Sequence, residues 1–283
     1  MKTSPEVTRG MPNDLVLVRH GLSEANVAQK SKVKTEAEQQ VMQRADWQQR
    51  LAQRGIVQAQ MTGAWLESEF GGPIDEVFDK KYVSHFVRTT ETALYLGGRA
   101  TQGWMYDKRL VERSWGIFGA ASREEQKDAF ARTVERQEVD PLYTAKDGGE
   151  ALATDVLLRW RDYVDTLHRE ASGQRVLAVT HGELMWVARF DLERMLPEEW
   201  LALDSDPDQK IRNCSALHYS RVDPEDPEHI SSRLQWMRFV YPDAPDESPY
   251  GGQWQDLANN RRFSGVDLAA RVNQFPRYLD AED

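Results

Sequence analysis

Short apolar runs alternate along most of the chain with longer segments in which apolar residues recur at helical spacing. Short runs that end at polar or glycine positions are typical of buried strands, and a period near 3.6 residues is typical of helices packed on one face. The pattern predicts strands at 15–18, 75–83, 104–107, Arg175–Thr180 and Ala216–Ser220, and helices at 50–70, 85–98, 122–138, 150–169 and 183–194.

The order of these elements predicts the fold class. Strands that alternate with helices form parallel pairs, because each helix returns the chain to the edge of the sheet where the previous strand began. A parallel sheet is covered by helices on both faces. We therefore expect an α/β protein, a three-layer sandwich with a mostly parallel central sheet and helices on both faces.

Two segments depart from this alternation. Residues 28–48 are a long polar stretch, which indicates an insertion, and from about residue 222 prolines and acids surround one further apolar run, 233–241. Such clusters are typical of loops, while the run between them predicts a strand. Because too few apolar residues follow 222 for an independent core, we expect one domain over 1–283, with an insertion at about 28–48 and a C-terminal extension at about 222–283.

Composition and charge narrow the classes of function. The chain has 283 residues, a formal net charge of −10 and a single cysteine, Cys214. Nucleic-acid binding relies on Lys and Arg to neutralise phosphates, so this charge argues against a nucleic-acid partner. The start carries no apolar stretch long enough for a secretion signal or a membrane span, and one cysteine forms no internal disulfide. We expect a cytoplasmic protein without a membrane partner; the oligomeric state stays open.

Two histidines follow predicted strands in the same way. His20 ends the run VLVRH and His181 ends the run VLAVTH, and each is followed directly by a glycine, Gly21 or Gly182. Ligands bind outside the carboxyl ends of the strands in open parallel sheets, so both imidazoles are expected at that edge. If the two strands are neighbours, the imidazoles meet, and the glycines let the backbone turn and a substrate approach.

Arg19 beside His20 indicates that this edge binds an anion. A phosphomonoester carries close to two negative charges and three acceptor oxygens, which the planar guanidinium meets with two hydrogen bonds. A metal site would more naturally combine His with carboxylates at helical spacing, and the sequence holds no such motif. We expect a small phosphorylated substrate, no metal and no cofactor. The other histidines, His85, His168, His218 and His229, are expected to be surface or structural residues.

Several segments together resemble a known family. VLVRHGLSEAN resembles the signature of the histidine phosphatase superfamily, in the branch that includes cofactor-dependent phosphoglycerate mutase. The resemblance continues in order over most of residues 14–220, and the segments that carry it are LAQRGIVQAQMTGAWL, VSHFVRTTETA, RLVERSWGIFG, GGEAL, VTHGELM and NCSAL.

The resemblance implies a role for individual residues. His20 would be the nucleophile that is phosphorylated on a ring nitrogen, and the clamp on the transferring phosphoryl group would be Arg19, Arg88 and His181. Asn26 and Ser23 would add neutral donors, with the backbone of Gly21 and Gly182 close to the substrate. Structural alternatives stay open: Arg88 could pair with Glu91 on a helix surface, and Asn26 or Ser23 could cap the following helix.

Glu112 is the predicted general acid, because a leaving alkoxide needs a proton and the same carboxylate can then deprotonate water. A salt bridge to Arg109 or Arg113 is the structural alternative for Glu112. Glu183, directly after Gly182, is the competing acid. Arg113 and Trp115 are expected to line the mouth of the substrate site.

The resemblance is compatible with more than one type of reaction. Mutases of this family carry a pair of adjacent arginines after the glutamate segment, whereas Arg132 and Arg136 are separated here. We therefore favour a metal-independent phosphomonoester hydrolase acting through phospho-His20. Two alternatives stay open: a phosphoglycerate-mutase-type phosphotransferase, and a catalytically weak module that binds a phosphorylated ligand.

Overall fold

The computed structural model describes residues 10–116, 131, 135–136, 138–140, 143, 149–257 and 262–278. Seven strands in this part of the chain form one sheet: β1 (Asp14–Arg19), β2 (Lys80–Val83), β3 (Trp104–Tyr106), β4 (Arg175–Thr180), β5 (Ala216–Ser220), β6 (Trp236–Val240) and β7 (Gln255–Asp256). The predicted helix over 122–138, including Arg132, lies largely outside the described residues.

The strand order is β3-β2-β4-β1-β5-β6-β7. The strands β3, β2, β4 and β1 pair in parallel, and β5, β6 and β7 continue the sheet in antiparallel pairs. The central pair decides where the site lies, because Val18 pairs with Val179 and Arg19 pairs with Thr180. His20 and His181 therefore leave two adjacent parallel strands at the same level.

Helices surround this sheet: α1 (Glu24–Ala28), α2 (Glu36–Gln43), α3 (Gln53–Phe70), α4 (Ile74–Val77), α5 (Val87–Gly97), α6 (Leu157–Glu170), α7 (Gly182–Leu192), α8 (Pro197–Ser205) and α9 (Gly265–Val272). The side chains of β1 alternate between two buried clusters. Leu15 and Leu17 pack with α6 and α7 residues such as Trp160 and Met185. Val16 and Val18 pack on the other face. Both faces are thus covered, and the predicted α/β sandwich is confirmed.

The predicted strand over 75–83 is wrong in its first half. Residues Ile74–Val77 form the short helix α4, and the strand β2 begins only at Lys80. Pro73 directly precedes the helix, and Asp75 and Glu76 lie in its first turn, where acidic side chains interact favourably with the exposed N–H groups. These local preferences prevail over the apolar pattern of Val77 and Phe78.

The predicted insertion at 28–48 and the predicted C-terminal extension from 222 have different structures. The insertion contains α2 and a short 3₁₀ turn, Asp46–Gln48, and is mostly exposed. Within the C-terminal extension, β6 lies inside the predicted strand 233–241 and pairs with β5. Among the described residues, no helix is both long and apolar enough to cross a membrane. The assignment of the whole chain to one domain stays a prediction.

Candidate active site

The imidazoles of His20 and His181 meet at the carboxyl ends of β1 and β4. Their ring centroids are 5.2 Å apart, with the ring planes inclined at 64°. Both side chains are almost completely buried, at 2% and 0% exposed. The expectation that two segments some 160 residues apart supply one pocket therefore agrees with the packing.

Hydrogen bonds define the chemical state of His20. Its Nδ1 lies 2.8 Å from the carbonyl oxygen of Gly21, which can only accept, so Nδ1 carries the proton. Its Nε2 accepts a hydrogen bond from Nε of Arg88 at 3.2 Å. Burial, followed by the charges of Arg88 and Arg19, lowers the pKa of His20 well below its usual value. The ring is therefore neutral at pH 7, with a lone pair on Nε2.

The backbone around His20 is held from several sides. The carbonyl oxygen of His20 accepts from Nδ2 of Asn213 at 3.0 Å, and the N–H of Gly21 donates to the hydroxyl of Thr92 at 3.0 Å. A Cβ on Gly21 would lie 2.5 Å from the carbonyl oxygen of Gly55 at the start of α3. Only a glycine at position 21 allows this close approach, so α3 fixes the path of the loop after the histidine.

Arg19 ends β1, and its side chain lies beside Gly182. Its Nη1 donates to the carbonyl oxygen of Ile211 at 2.5 Å, while its buried Nε has no hydrogen-bond partner among the described residues. A Cβ on Gly182 would lie 3.3 Å from this Nε. The glycine thus leaves room for the guanidinium, and the unpaired N–H is a donor that an anion can use.

His181 is oriented by a serine that the sequence analysis did not single out. Nε2 of His181 lies 3.0 Å from the hydroxyl of Ser84, and Nδ1 is buried without a partner in the described part of the chain. The Ser84 oxygen is also 3.4 Å from the N–H of Phe86, which can only donate. The hydroxyl can donate to Nε2 while it accepts from Phe86, and in that arrangement Nδ1 of His181 carries the proton. Burial, and then Arg88, lower the pKa of His181 well below its usual value.

Arg88 does not form the surface pair with Glu91 that was left open. Its side chain is only 6% exposed, and Glu91 accepts instead from Arg50 at 2.5 Å and from the N–H of Leu51 at 2.8 Å. The Nη groups of Arg88 contact Asp46, a residue of the insertion that the sequence analysis passed over. Ser84, the second residue of the segment VSHFVRTTETA, could have been noticed from the sequence, whereas nothing in the sequence indicated Asp46.

Two carboxyl groups lie at the entrance of the pocket. Burial raises the pKa of Glu112, and the N–H of Arg113, followed by the charges of Arg88 and Arg19, opposes this rise. Burial, and then the neighbouring Glu112, raise the pKa of Glu183 to about 7. Glu183 can therefore carry a proton near neutral pH, and Glu112 keeps its proton to a higher pH than an exposed glutamate does.

The two carboxyl groups differ in their surroundings. Glu112 accepts from the N–H of Arg113 at 2.9 Å, and its pKa responds to Arg88, the residue that contacts His20. Glu183 lies 3.8 Å from Nη1 of Arg113, and its side chain is 30% exposed. Arg113 stacks on Trp115 with its Cζ 4.3 Å from the ring centroid. Glu112 thus lies within the influence of Arg88 and Arg19, whereas Glu183 lies beside Arg113 and is partly exposed.

Ser23 and Asn26 form a capping box at the start of α1. The Ser23 oxygen accepts from the N–H of Asn26 at 3.1 Å, and Oδ1 of Asn26 accepts from the N–H of Ser23 at 3.4 Å. Both residues therefore take part in capping α1, which was the structural alternative left open, and Ser23 occupies the N-cap position. Their use as substrate donors stays a prediction.

The remaining histidines do not contact His20 or His181 directly, although His85 packs on Phe86, whose ring lies 5.0 Å from that of His181. His218 hydrogen-bonds through Nε2 to Asp14 at 2.9 Å inside the sheet, and His85, His168 and His229 are exposed. Arg136 pairs with Asp140 at 3.6 Å. Within the described ranges, no group of three or more His, Cys, Asp or Glu side chains is placed to hold a metal ion.

Comparisons with known proteins find one matching family and several solved structures of similar fold. A family model described as "Histidine phosphatase superfamily (branch 1)" matches residues 15–218. No curated protein matches the sequence. Among solved structures, a mycobacterial glucosyl-3-phosphoglycerate phosphatase is similar with 22% identity and a TM-score of 0.57, covering 78% of this chain and 96% of that one.

Two further solved structures have the same fold. YhfR of Bacillus stearothermophilus is 23% identical with a TM-score of 0.57, over 77% of this chain and 95% of that one. A putative alpha-ribazole-5'-P phosphatase from Escherichia coli is 17% identical with a TM-score of 0.55, over 78% of this chain and 98% of that one.

Proposed function

The chain belongs to branch 1 of the histidine phosphatase superfamily, and on that premise we propose that it is a metal-independent phosphomonoester hydrolase acting through a phosphohistidine on His20. The observation that carries the proposal is the state of His20: a buried neutral imidazole whose unprotonated Nε2 faces the guanidinium of Arg88. An imidazole in this state is a nucleophile, and the cation beside it attracts the phosphoryl group.

In the first step, Nε2 of His20 attacks phosphorus and the bond to the leaving oxygen breaks. Glu112 gives its proton to that oxygen, and the alcohol departs. The ring gains positive charge as the P–N bond forms, and the Gly21 carbonyl that accepts from Nδ1–H stabilises it. The unpaired N–H groups of Arg19 and His181, together with Arg88, meet the charge on the phosphoryl oxygens.

In the second step, water attacks phosphorus from the side that the alcohol has left. Glu112, now ionised, takes the proton of the water, and the P–N bond breaks to release inorganic phosphate. The lone pair returns to Nε2 and the enzyme is restored. The substrates we propose are small organic phosphomonoesters, which is also the chemical class named for the phosphatases of similar fold.

Release of inorganic phosphate from a panel of phosphorylated metabolites tests the reaction type. We expect hydrolysis of at least one member, unchanged by EDTA because side chains alone supply the positive charge, and inhibition by vanadate. Activity that EDTA removes and a divalent ion restores would contradict the proposal. Transfer that outpaces phosphate release and needs a bisphosphate primer would indicate a mutase, and anion binding without turnover would indicate a binding module.

Replacing Glu112 tests the general acid. Glu112→Gln is expected to lower kcat/KM for phenyl phosphate by about 10²- to 10⁴-fold, because the phenolate leaving group needs a proton in the transition state. The loss should be much smaller for 4-nitrophenyl phosphate, whose leaving anion is stable near neutral pH. The measurement is the ratio of kcat/KM for the two esters, which reports only steps up to formation of the phosphoenzyme.

Glu183→Gln is the matched control, because it neutralises a carboxyl group of similar burial in the same pocket. If Glu112 is the acid, Glu183→Gln leaves the ratio between the two esters near that of the unchanged protein. A large selective loss with phenyl phosphate in Glu183→Gln, and none in Glu112→Gln, would assign the acid to Glu183.

A further inference from the structure

Asp46 accepts three hydrogen bonds from the guanidinium of Arg88. Nη1 of Arg88 donates to Oδ1 of Asp46 at 2.8 Å and to its backbone carbonyl at 2.7 Å, and Nη2 lies 3.3 Å from Oδ2. The Arg88 side chain is buried, whereas that of Asp46 is 67% exposed. The carboxylate therefore approaches the guanidinium from the solvent side of the pocket.

The N–H groups of Arg88 that are not bonded to Asp46 define how Arg88 faces the nucleophile. A guanidinium has five N–H groups in a fixed plane. Asp46 takes both on Nη1 and one on Nη2, so Nε–H and the second Nη2–H remain. These two donors share one edge of the plane, and Nε–H already reaches Nε2 of His20. That edge is a two-donor fork, aimed at the place where a phosphoryl group would meet the histidine.

Asp46 is itself held by the insertion. It begins the 3₁₀ turn Asp46–Gln48. The buried amide of Gln49 donates to the carbonyl oxygens of Val41 and Arg44 at 2.9 and 3.3 Å, whereas the exposed ion pair between Arg44 and Glu24 contributes little. The turn that carries Asp46 is thus tied to α2 through Gln49, independently of Arg88.

We propose that Asp46 is the positioning residue for Arg88, and that the insertion at 28–48 serves to bring it there. The proposal rests on the phosphatase function proposed above. By holding three of five donors, the carboxylate keeps the Nε–Nη2 edge turned toward His20 and prevents the guanidinium from rotating with the incoming anion. Asp46 touches neither the nucleophile nor the phosphoryl group.

A second consequence of Asp46 concerns Glu112. The negative charge of Asp46 is among the influences that raise the pKa of Glu112, against the lowering effects of Arg88 and Arg19. Arg113 and Glu183 are the other charged groups at this entrance. Removing the charge of Asp46 therefore lowers the pKa of Glu112. Glu112 then loses its proton at lower pH, and the basic limb of the pH profile moves to lower pH.

The test compares Asp46→Asn and Asp46→Glu with Glu24→Gln, using phenyl phosphate. Asp46→Asn is expected to reduce kcat by about 10- to 100-fold with a smaller change in KM, because a misplaced clamp weakens the transition state more than ground-state binding. The basic limb of kcat/KM should also move to lower pH. Asp46→Glu keeps a carboxylate and should recover part of kcat. Glu24→Gln removes the same charge from α1, directly before the insertion, without touching Arg88, and should change neither kcat nor the pH profile.

An activity-independent measurement separates this proposal from the proposed function. The Nε–H signal of Arg88 in ¹H–¹⁵N spectra, assigned by its loss in Arg88→Lys, should be sharp in the unchanged protein and in Glu24→Gln. It should shift or broaden in Asp46→Asn. An unchanged signal, or an Asp46→Asn protein with undiminished kcat, would overturn the role of Asp46. A parent protein that turns over no phosphomonoester would overturn the phosphatase, while the signal would still decide the role of Asp46.

Discussion

Replacing His20 by alanine is expected to reduce phosphomonoester hydrolysis by about 10⁴- to 10⁶-fold, the range found when a catalytic nucleophile or its partners are removed from an enzyme. The reason is that Nε2 of His20 forms the bond to phosphorus, and no other described side chain presents an unprotonated nitrogen to Arg88. The measurement is kcat/KM for 4-nitrophenyl phosphate. Its leaving group departs without help from an acid, so formation of the phosphoenzyme depends mainly on attack by the nucleophile.

His168→Ala is the matched control for this substitution, because it removes an exposed imidazole from α6. Its activity should equal that of the unchanged protein. Thermal unfolding of both variants shows whether the fold survives. Full activity in a folded His20→Ala protein would refute the mechanism, because the buried ring would then be structural.

Replacing Arg88 by alanine is expected to lower kcat by about 10³-fold, a typical effect for an arginine that stabilises a phosphoryl group in its transition state. Arg88 is buried, and its Nε–H is the donor nearest to Nε2 of His20. Arg88→Lys should recover little of this loss, because an ammonium group keeps the charge but lacks the planar fork. Steady-state kinetics of both variants measures the effect.

Arg44→Ala is the control for Arg88→Ala. Arg44 lies on the insertion, is 42% exposed and forms a direct ion pair with Glu24 at 2.7 Å, and such exposed pairs contribute little to stability. It should retain normal kcat. If Arg88→Ala and Arg44→Ala lose activity equally, general electrostatic attraction of the substrate would explain the loss and a clamp at His20 would not.

The central part of the fold could be predicted because it depends on repeated local patterns. The two runs that end in His-Gly are buried on both faces, so their strands have to lie inside the sheet. Adjacent parallel strands in matched register then bring His20 and His181 together without further information. The error at 75–83 has a local cause as well: Pro73 and two acids favour a helical turn over the strand pattern.

The contacts of Arg88 could not be predicted in the same way. The sequence offered Glu91 as a partner for Arg88, three residues away on the same helix, yet Arg50 and the backbone of Leu51 occupy that carboxylate. Asp46 reaches Arg88 from 42 residues away, through a polar insertion whose path depends on tertiary contacts. Polar segments carry little hydrophobic periodicity, and periodicity is the signal from which structure was predicted.

The most direct test of the account is to trap the phosphoenzyme. The protein is mixed with a phosphomonoester that it hydrolyses, quenched in alkali and digested, and the phosphate is located by mass spectrometry. We predict acid-labile phosphate on the peptide that contains His20, at a level that rises before steady-state release begins, and none in His20→Ala. Rapid hydrolysis without phosphate on any histidine, or with phosphate on a different residue, would contradict the account.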